Sequence, residues 1–391
     1  MSLTPHPLAC TYGSLCAGCD WLMLPFAEQR TRKTNHLIEI WGAAIGAENL
    51  PTVDFVSVAA GGLRDRADLM VDRRSGTAKL GLFDRFQSGL VDLQGCPQMS
   101  PALEAWLQDF RRIEIPVERG SVRLRVSPSG VRGVWLDLAN VDVKRLLDER
   151  TTLDRLREVG AVVEIGQKRK RLVEREGALK LSDPVLETWF ETYIETDKEE
   201  VSVPLYCTIG SFTQPGFEAN RALVREARRL ISLAGAQRAV EFGSGIGNFT
   251  FPLASVCGEV HAFEIDELAL EGLKRSLEVV RIGETSLAER VVIRAGNFQI
   301  SNERRAPVEF RGADLIFVDP PRSGLMKFLD PLTALAPSER PKHFVYVSCF
   351  AESFATDSAR LKELGYFPQS ASIVDQFPQS RHYEVVAHFV R

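Results

Sequence analysis

From about Pro204 onward, short apolar runs alternate with amphipathic stretches, and this alternation restricts the fold more than any other feature of the chain. A helix over Ala222–Ala234 leads to a strand at Arg238–Phe242, and a strand at Val260–Glu264 leads to a helix at Glu267–Val279. Strands at Val291–Arg294, Asp314–Val318 and His343–Ser348 follow, with helices between the later ones, and a last strand spans Tyr383–Val390. Strands and helices in this order predict a doubly wound, mostly parallel α/β sheet. Ligands of such sheets bind outside the carboxyl ends of the strands. The residues that end each apolar run are therefore the first candidates for chemistry.

The N-terminal half reads differently. A cysteine loop at Cys10–Cys19 precedes a stretch with helical spacing, Phe26–Trp41. Short alternating runs between Val53 and Leu93, then Val122–Val126 and Val134–Leu138, predict an antiparallel sheet. Helices are expected at Pro101–Ile113, after Ser100 as N-cap, and at Val143–Val159. The charged stretch Glu195–Glu200 marks the expected junction, giving domains of 1–200 and 201–391. With 391 residues and 45% hydrophobic content, two cores are affordable.

Three run ends stand out. Glu241-Phe242-Gly243-Ser244-Gly245-Ile246-Gly247 follows a strand and opens a helix, as a nucleotide-binding turn does. Glu264 ends the next strand, where a carboxylate can hold both hydroxyls of a ribose. NAD and S-adenosylmethionine both fit these two features. Asp319-Pro320-Pro321-Arg322 follows another strand, and its prolines present the Asp carboxylate on a rigid backbone. Base-modifying methyltransferases use Asp/Asn-Pro-Pro at this position, whereas a dehydrogenase would need a hydride-transfer acid/base pair that the chain does not display. Cys349 ends the run Phe344–Ser348. A thiolate there can add to carbon 6 of a uracil, which makes carbon 5 nucleophilic. A base must then remove the carbon 5 proton, and Glu384, opening the last strand, is the candidate.

Cys10, Cys16, Cys19 and the distant Cys96 supply four thiolates, a set that suits zinc or a [4Fe–4S] cluster. Three clustered ligands plus a remote Cys-Pro favour the cluster. Cys207 and Cys257 have no partner motif and are expected in the core. A net charge of −4 gives no global nucleic-acid signature. Local patches remain, at Lys168–Arg171 with Arg175, and at Arg64, Arg66, Arg73 and Arg74. No apolar stretch approaches the ~18 residues of a membrane span, so a cytoplasmic protein without membrane contact is expected.

Together these motifs resemble the RNA uracil-5 methyltransferase family over nearly the whole chain. The resemblance implies a class I, Rossmann-like S-adenosylmethionine methyltransferase domain and an N-terminal α+β iron–sulfur domain that binds RNA. Ser211-Phe212-Thr213-Gln214 is similar to a family segment whose Gln contacts the cofactor. The turn from Gly243 through Asn248 is similar to the loop that binds its methionine part, and Glu264 to its ribose carboxylate. Asn297 falls where a residue near the adenine is expected. Asp319-Pro320-Pro321-Arg322-x-Gly324 matches a family signature, Cys349 the nucleophile and Glu384 the base. Cys10, Cys16, Cys19 and Cys96 match the [4Fe–4S] ligands of bacterial ribosomal members. The cysteine loop begins at residue 10, as in the shorter branch, which lacks an N-terminal barrel and acts on 23S ribosomal RNA. The expected protein is a monomer that makes 5-methyluridine in 23S rRNA. Alternatives are a tRNA enzyme with the same chemistry, or a catalytically impaired RNA-binding relative. The last is motivated by Phe350, which stands where the family usually has Asn after its nucleophile. The close Asn that usually follows the Gln is also displaced, to Asn220.

Overall fold

The computed structural model describes residues 8–74, 76–115, 118–137, 143–166, 170–196, 199–282, 285–296 and 310–391. The chain forms two compact units that interleave along the sequence. The first comprises Met1–Phe26, Ala59–Phe190 and Cys207–Phe217; the second comprises Ala27–Val58, Glu191–Tyr206 and Glu218–Arg391. Residues 27–58 thus fold with the C-terminal sheet.

The second unit carries an eight-stranded sheet. Its order is Val53–Ser57, Phe367–Asp375, Glu384–Val390, His343–Ser348, Leu315–Val318, Arg238–Phe242, Glu259–Glu264 and Val291–Ala295. Glu384–Val390 runs antiparallel to both neighbours, and the other pairs are parallel. All residues of Leu315–Val318 and His343–Ser348 are buried, as strands covered on both faces must be. The expected strand Arg238–Phe242 and helix Glu267–Val279 are found at those bounds. Helix Phe26–Ile45 buries Gln29, Lys33, Leu37, Trp41 and Ile45, one residue per turn along a single stripe. Leu37, Trp41 and Ile45 join Phe344, Phe354 and Phe389 in the core. Each such side chain contributes about 1.5–3 kcal/mol through burial.

Val53–Ser57 departs from the expected antiparallel sheet: it pairs in parallel with Phe367–Asp375 at the edge of the C-terminal sheet. Its own residues allow either role, and the pairing is decided by a partner more than 300 residues away.

The first unit holds the other eight-stranded sheet. Its strands pair antiparallel except Arg132–Asp137 with Val162–Ile165, which are parallel. Helix Pro101–Phe110 lies on it, with the Ser100 hydroxyl accepting from Leu103 N–H as N-cap, and buries Leu103, Trp106, Leu107 and Phe110. The single helix expected over Val143–Val159 is broken in two, Val143–Glu149 and Thr151–Glu158, because Arg150 takes a left-handed φ of 50°. Among the described residues no helix is long and apolar enough to cross a membrane.

Candidate active site

The strand registers of the second unit bring the singled-out residues to one edge. Phe242 pairs with both Phe263 and Val318, and Val318 with Tyr346, so the Gly-rich turn, Glu264 and Asp319 leave the sheet on the same side. Ser348 pairs antiparallel with Val385. The residue after Ser348 is Cys349 and the residue before Val385 is Glu384, so the two lie close at the ends of adjacent strands, where the Glu384 charge acts on the thiol.

The turn at Gly243–Gly247 is shaped by backbone that other residues resist. Gly243, Gly245 and Gly247 have φ of 75°, 56° and 101°. At Gly247 a Cβ would lie 2.6 Å from Leu273, so space as well as conformation demands glycine. Gly243 and Ser244 N–H both donate to Phe263 carbonyl, at 2.9 and 3.0 Å, tying the turn to the neighbouring strand. Glu264 accepts from Gly245 N–H with one oxygen, at 2.9 Å, and from Ile265 and Asp266 N–H with the other, at 2.7 and 2.8 Å. Three backbone donors fix the carboxylate and leave one acceptor site, on the oxygen that Gly245 N–H reaches. The Ser244 hydroxyl is buried in the turn without a hydrogen-bond partner among the described residues. A buried orphan hydroxyl beside a fixed carboxylate is the donor set that a bound nucleoside cofactor would complete. The Asn248 side chain exchanges two hydrogen bonds with Asn220, at 2.8 and 2.9 Å, and its carbonyl accepts from Thr192.

The Asp319 loop is pinned to the helix that follows Cys349. Asp357 of helix Ala351–Glu363 accepts from Leu325 N–H and from the Tyr346 hydroxyl, each at 2.7 Å. Gly324 has φ 74°, and a Cβ there would lie 2.4 Å from Asp357. Next to the thiol, Ser348 brackets the turn: its hydroxyl accepts from Phe350 N–H at 3.3 Å and lies 3.2 Å from Phe350 carbonyl. Phe350 takes the N-cap position of that helix without a side-chain cap. The turn that presents Cys349 is therefore bracketed by the serine before it.

Glu384, Asp319, Glu241 and the Cys349 thiol on this edge are all raised by burial. Burial pushes Glu384 up to about 8, with Asp319 adding repulsion and Arg322 opposing. Burial alone pushes Asp319 up to about 7. Cys349 is held up at about 11, by burial first, then by the Glu384 and Asp319 charges, with Arg322 pulling the other way. Glu241, buried and accepting from the Thr250 hydroxyl at 2.6 Å, is pushed up to about 8, again mainly by burial. Among the described residues Glu384 Oε2 has no hydrogen-bond partner, so the site holds an unsatisfied buried carboxyl close to a half-buried thiol. Glu241, Ser244, Arg322 and Ser348 were not among the residues expected from sequence. Glu241 and Ser244 lie in the Gly-rich segment and Arg322 in the Asp-Pro-Pro-Arg signature, but none was assigned a role.

Asn297 lies outside the described residues. Gln214 belongs to the first unit, in a segment gripped by that unit's sheet. Buried Arg125 donates to Thr208 and Ile209 carbonyls, both at 3.3 Å, and to the Thr213 hydroxyl at 2.7 Å. Arg66 donates to Thr213 carbonyl at 2.9 Å and Arg123 to Gly210 carbonyl at 2.7 Å. Glu164 accepts from Ile209 and Gly210 N–H, each at 3.1 Å. At Gly216 a Cβ would lie 1.9 Å from Leu63 carbonyl. Gln214 is thereby fixed at the end of a rigid strip, while Phe212 stands 76% exposed.

The four N-terminal cysteines are also neighbours within the first unit. All four are half-buried. Burial, then the adjacent Cys96, Cys16 and Cys10, push Cys19 up to about 12. Cys16 and Cys96 are raised mainly by burial, and Cys10 adds to each. Gly18 N–H donates to the Cys16 sulfur at 3.3 Å. Cys10 and Cys96 line an open pocket of about 580 Å³ with Tyr12 and Glu104. Among the described residues no group of three or more His, Cys, Asp or Glu side chains is arranged to hold a single metal ion. Cys207 and Cys257 are fully buried, as expected. Of the basic patches, Lys168 and Arg169 lie outside the described residues. Lys170 and Arg171 pair with Asp183 and Glu187, and Arg73 and Arg74 with Glu114 and Asp72. Arg66 holds Thr213, so these side chains serve the fold more than a free basic surface.

Known proteins resemble this chain in sequence and in fold. The sequence profile of the tRNA (Uracil-5-)-methyltransferase family matches residues 205–390. An uncharacterized RNA methyltransferase of Bdellovibrio bacteriovorus is 43% identical, over 96% of this chain and 94% of its own length. The 23S rRNA (uracil(1939)-C(5))-methyltransferase RlmD of Alkalilimnicola ehrlichii is 28% identical, over 100% of this chain and 83% of its own. In fold, the chain is similar to the crystal structure of Pyrococcus abyssi tRNA (uracil-54, C5)-methyltransferase in complex with S-adenosyl-L-homocysteine. The TM-score is 0.64 at 21% identity, covering 96% of this chain and 86% of that one.

Proposed function

Because this chain belongs to the RNA uracil-5 methyltransferase family and is an S-adenosylmethionine-dependent enzyme of it, we propose that it methylates carbon 5 of a uridine in 23S rRNA through a covalent Cys349 adduct. The observation that carries this reading is the antiparallel register that sets Cys349 opposite Glu384, beside Asp319. S-adenosylmethionine supplies an electrophilic methyl group. Gly243, Asn248 and Glu264 would hold it, Glu264 through the ribose hydroxyls, with Gln214 and Asn297 the further residues expected to contact it. The Cys349 thiol loses its proton to solvent and the thiolate adds to uracil carbon 6; carbon 5 then takes the methyl group as its bond to the sulfonium sulfur breaks, leaving S-adenosylhomocysteine. Glu384 accepts the carbon 5 proton, the carbon 6–sulfur bond breaks, and the thiolate leaves. Asp319 accepts from the uracil N3–H and orients the ring. The N-terminus of helix Ala351–Glu363, directly after Cys349, favours the thiolate that burial opposes.

Cys10, Cys16, Cys19 and Cys96 would hold a [4Fe–4S] cluster. Their chemistry supports this: Cys16, Cys19 and Cys96, which burial and neighbouring cysteines keep protonated, gain with Cys10 a cationic core on ligation, which stabilises the thiolates. The cluster would be structural, tying the cysteine loop to Cys96. The 23S reading is supported by RlmD relatives that align across the whole chain. A tRNA substrate is the second reading, favoured by the description of the matching family.

The test is trapping on 5-fluorouridine RNA. Carbon 5 of that base carries no removable proton, so the adduct persists. Wild-type protein with S-adenosylmethionine is expected to give a denaturation-stable complex on 23S rRNA transcripts and little on tRNA, and Cys349→Ala none. A complex that survives Cys349→Ala would overturn the mechanism, and equal or better trapping of tRNA the choice of RNA.

A further inference from the structure

Glu384 sits at the end of a long hairpin loop, and that loop is held by a helix from the N-terminal part of the chain. Val374 pairs with Glu384, and residues 376–383 form the connection between their strands. A loop of this length leaves the first residue of its second strand free to fray. Helix Phe26–Ile45 prevents this with three side chains on successive turns. Lys33 Nζ donates to Asp375 Oδ1 at 2.7 Å and to Phe377 carbonyl at 3.0 Å. Gln29 donates to the Gln379 side chain and accepts from Gln379 N–H, both at 2.9 Å. His36 Nδ1 and the Tyr383 hydroxyl are 2.8 Å apart, and Tyr383 directly precedes Glu384.

These contacts are unusual for an amphipathic helix. Gln29 and Lys33 are 0% exposed, on the stripe where Leu37, Trp41 and Ile45 continue as ordinary core residues. A buried ion pair adds little stability over an apolar pair of similar volume, so its presence points to a demand for geometry. Gln379 has a left-handed φ of 67°, a conformation that costs a non-glycine residue of order 1 kcal/mol or more and must be held in place. Among the described residues Glu384 has no hydrogen-bond partner on Oε2, so the backbone on which it sits carries much of its placement.

We propose that Lys33, with Gln29 and His36, is a positioning residue for proton removal. Through Asp375, Phe377, Gln379 and Tyr383 it fixes the backbone that aims Glu384 at the carbon 5 proton. This rests on the uridine methylation reading above.

The test uses full-length protein carrying Lys33→Met, Gln29→Ala or His36→Phe, with uridine and 5-fluorouridine forms of the 23S rRNA and tRNA transcripts. Trapping on 5-fluorouridine RNA needs attack and methyl transfer but no proton removal. It is expected to stay within about twofold of wild type. Turnover on uridine RNA is expected to fall about 10- to 100-fold with KM little changed, part of the roughly 10²–10⁴ that a positioned base contributes. A methylated, denaturation-stable RNA–protein adduct should accumulate on ordinary uridine RNA, because elimination stalls. Lys33→Arg should restore part of the turnover. Unchanged turnover overturns the proposal, as does a parallel loss of trapping and turnover, which marks a general structural role. If Lys33→Met fails to fold, His36→Phe carries the same expectation, since the His36 side chain is 44% exposed and its removal strands no buried charge. Wild-type protein that traps neither RNA sinks the methylation reading itself, whereas trapping by wild type with unaffected variants sinks only the role of Lys33.

Discussion

Glu384, Asp319 and Glu241 are carboxyls that burial holds at about 8, 7 and 8. The folded protein therefore keeps protons that the unfolded chain releases above about 4.5. Between that pH and about 8 the native state binds more protons, so stability falls as pH rises across the window. Glu384→Gln removes one of these groups. It is expected to raise Tm by about 2 °C or more at pH 8 and to match wild type below about pH 4. Thermal unfolding across pH checks this, and no gain at pH 8 would contradict it. The same variant should lose turnover, the usual conflict between a stable site and a working one. At this scale the sequence was informative where a residue sits at a strand tip, as Cys349, Asp319 and Glu264 do. It was silent on Ser348, Ser244 and Lys33, whose importance lies in partners reached through space.

Among elements, the loops carry the information that periodicity cannot. The strands and helices of the C-terminal sheet follow their hydrophobic pattern closely, and Pro101–Phe110 starts at its expected cap. Arg150 split a helix because a left-handed residue leaves no trace in apolar spacing. The Asp319 loop is rigid for reasons that lie outside it: Gly324 is confined by Asp357, on the helix after Cys349. The cysteine loop is the element with the clearest external demand. Anaerobically purified protein is expected to be brown and to contain on the order of four iron and four sulfide per chain. Cys96→Ala should lose both and lower Tm. Colourless, iron-free anaerobic protein would remove the cluster from this fold.

At the scale of the molecule, two interleaved units replace a simple succession of domains. The change in pattern near residue 200 is plain in the sequence. The attachment of residues 27–58 to the later sheet is not, because one edge strand and one helix look alike in either company. A fragment of residues 201–391 would lack Leu37, Trp41, Ile45 and the pairing partner of Phe367–Asp375. It is expected to be insoluble or molten, with an open apolar face and a bare strand edge. Co-expression with residues 1–200 should restore solubility. A monomeric, cooperatively unfolding 201–391 fragment would show that the N-terminal helix and strand are dispensable to the sheet.

The parallel pairing of Val53–Ser57 with Phe367–Asp375 also sets a clock on biosynthesis. The earlier strand leaves the ribosome roughly 300 residues before its partner, an interval of about 15–60 s at ~5–20 residues per second. For that time the Leu37–Trp41–Ile45 stripe has no finished surface to cover it. Slowing translation through the middle of the gene would lengthen this exposure, and a chaperone that shelters nascent apolar segments would find its target near residue 40 long before the last strand exists.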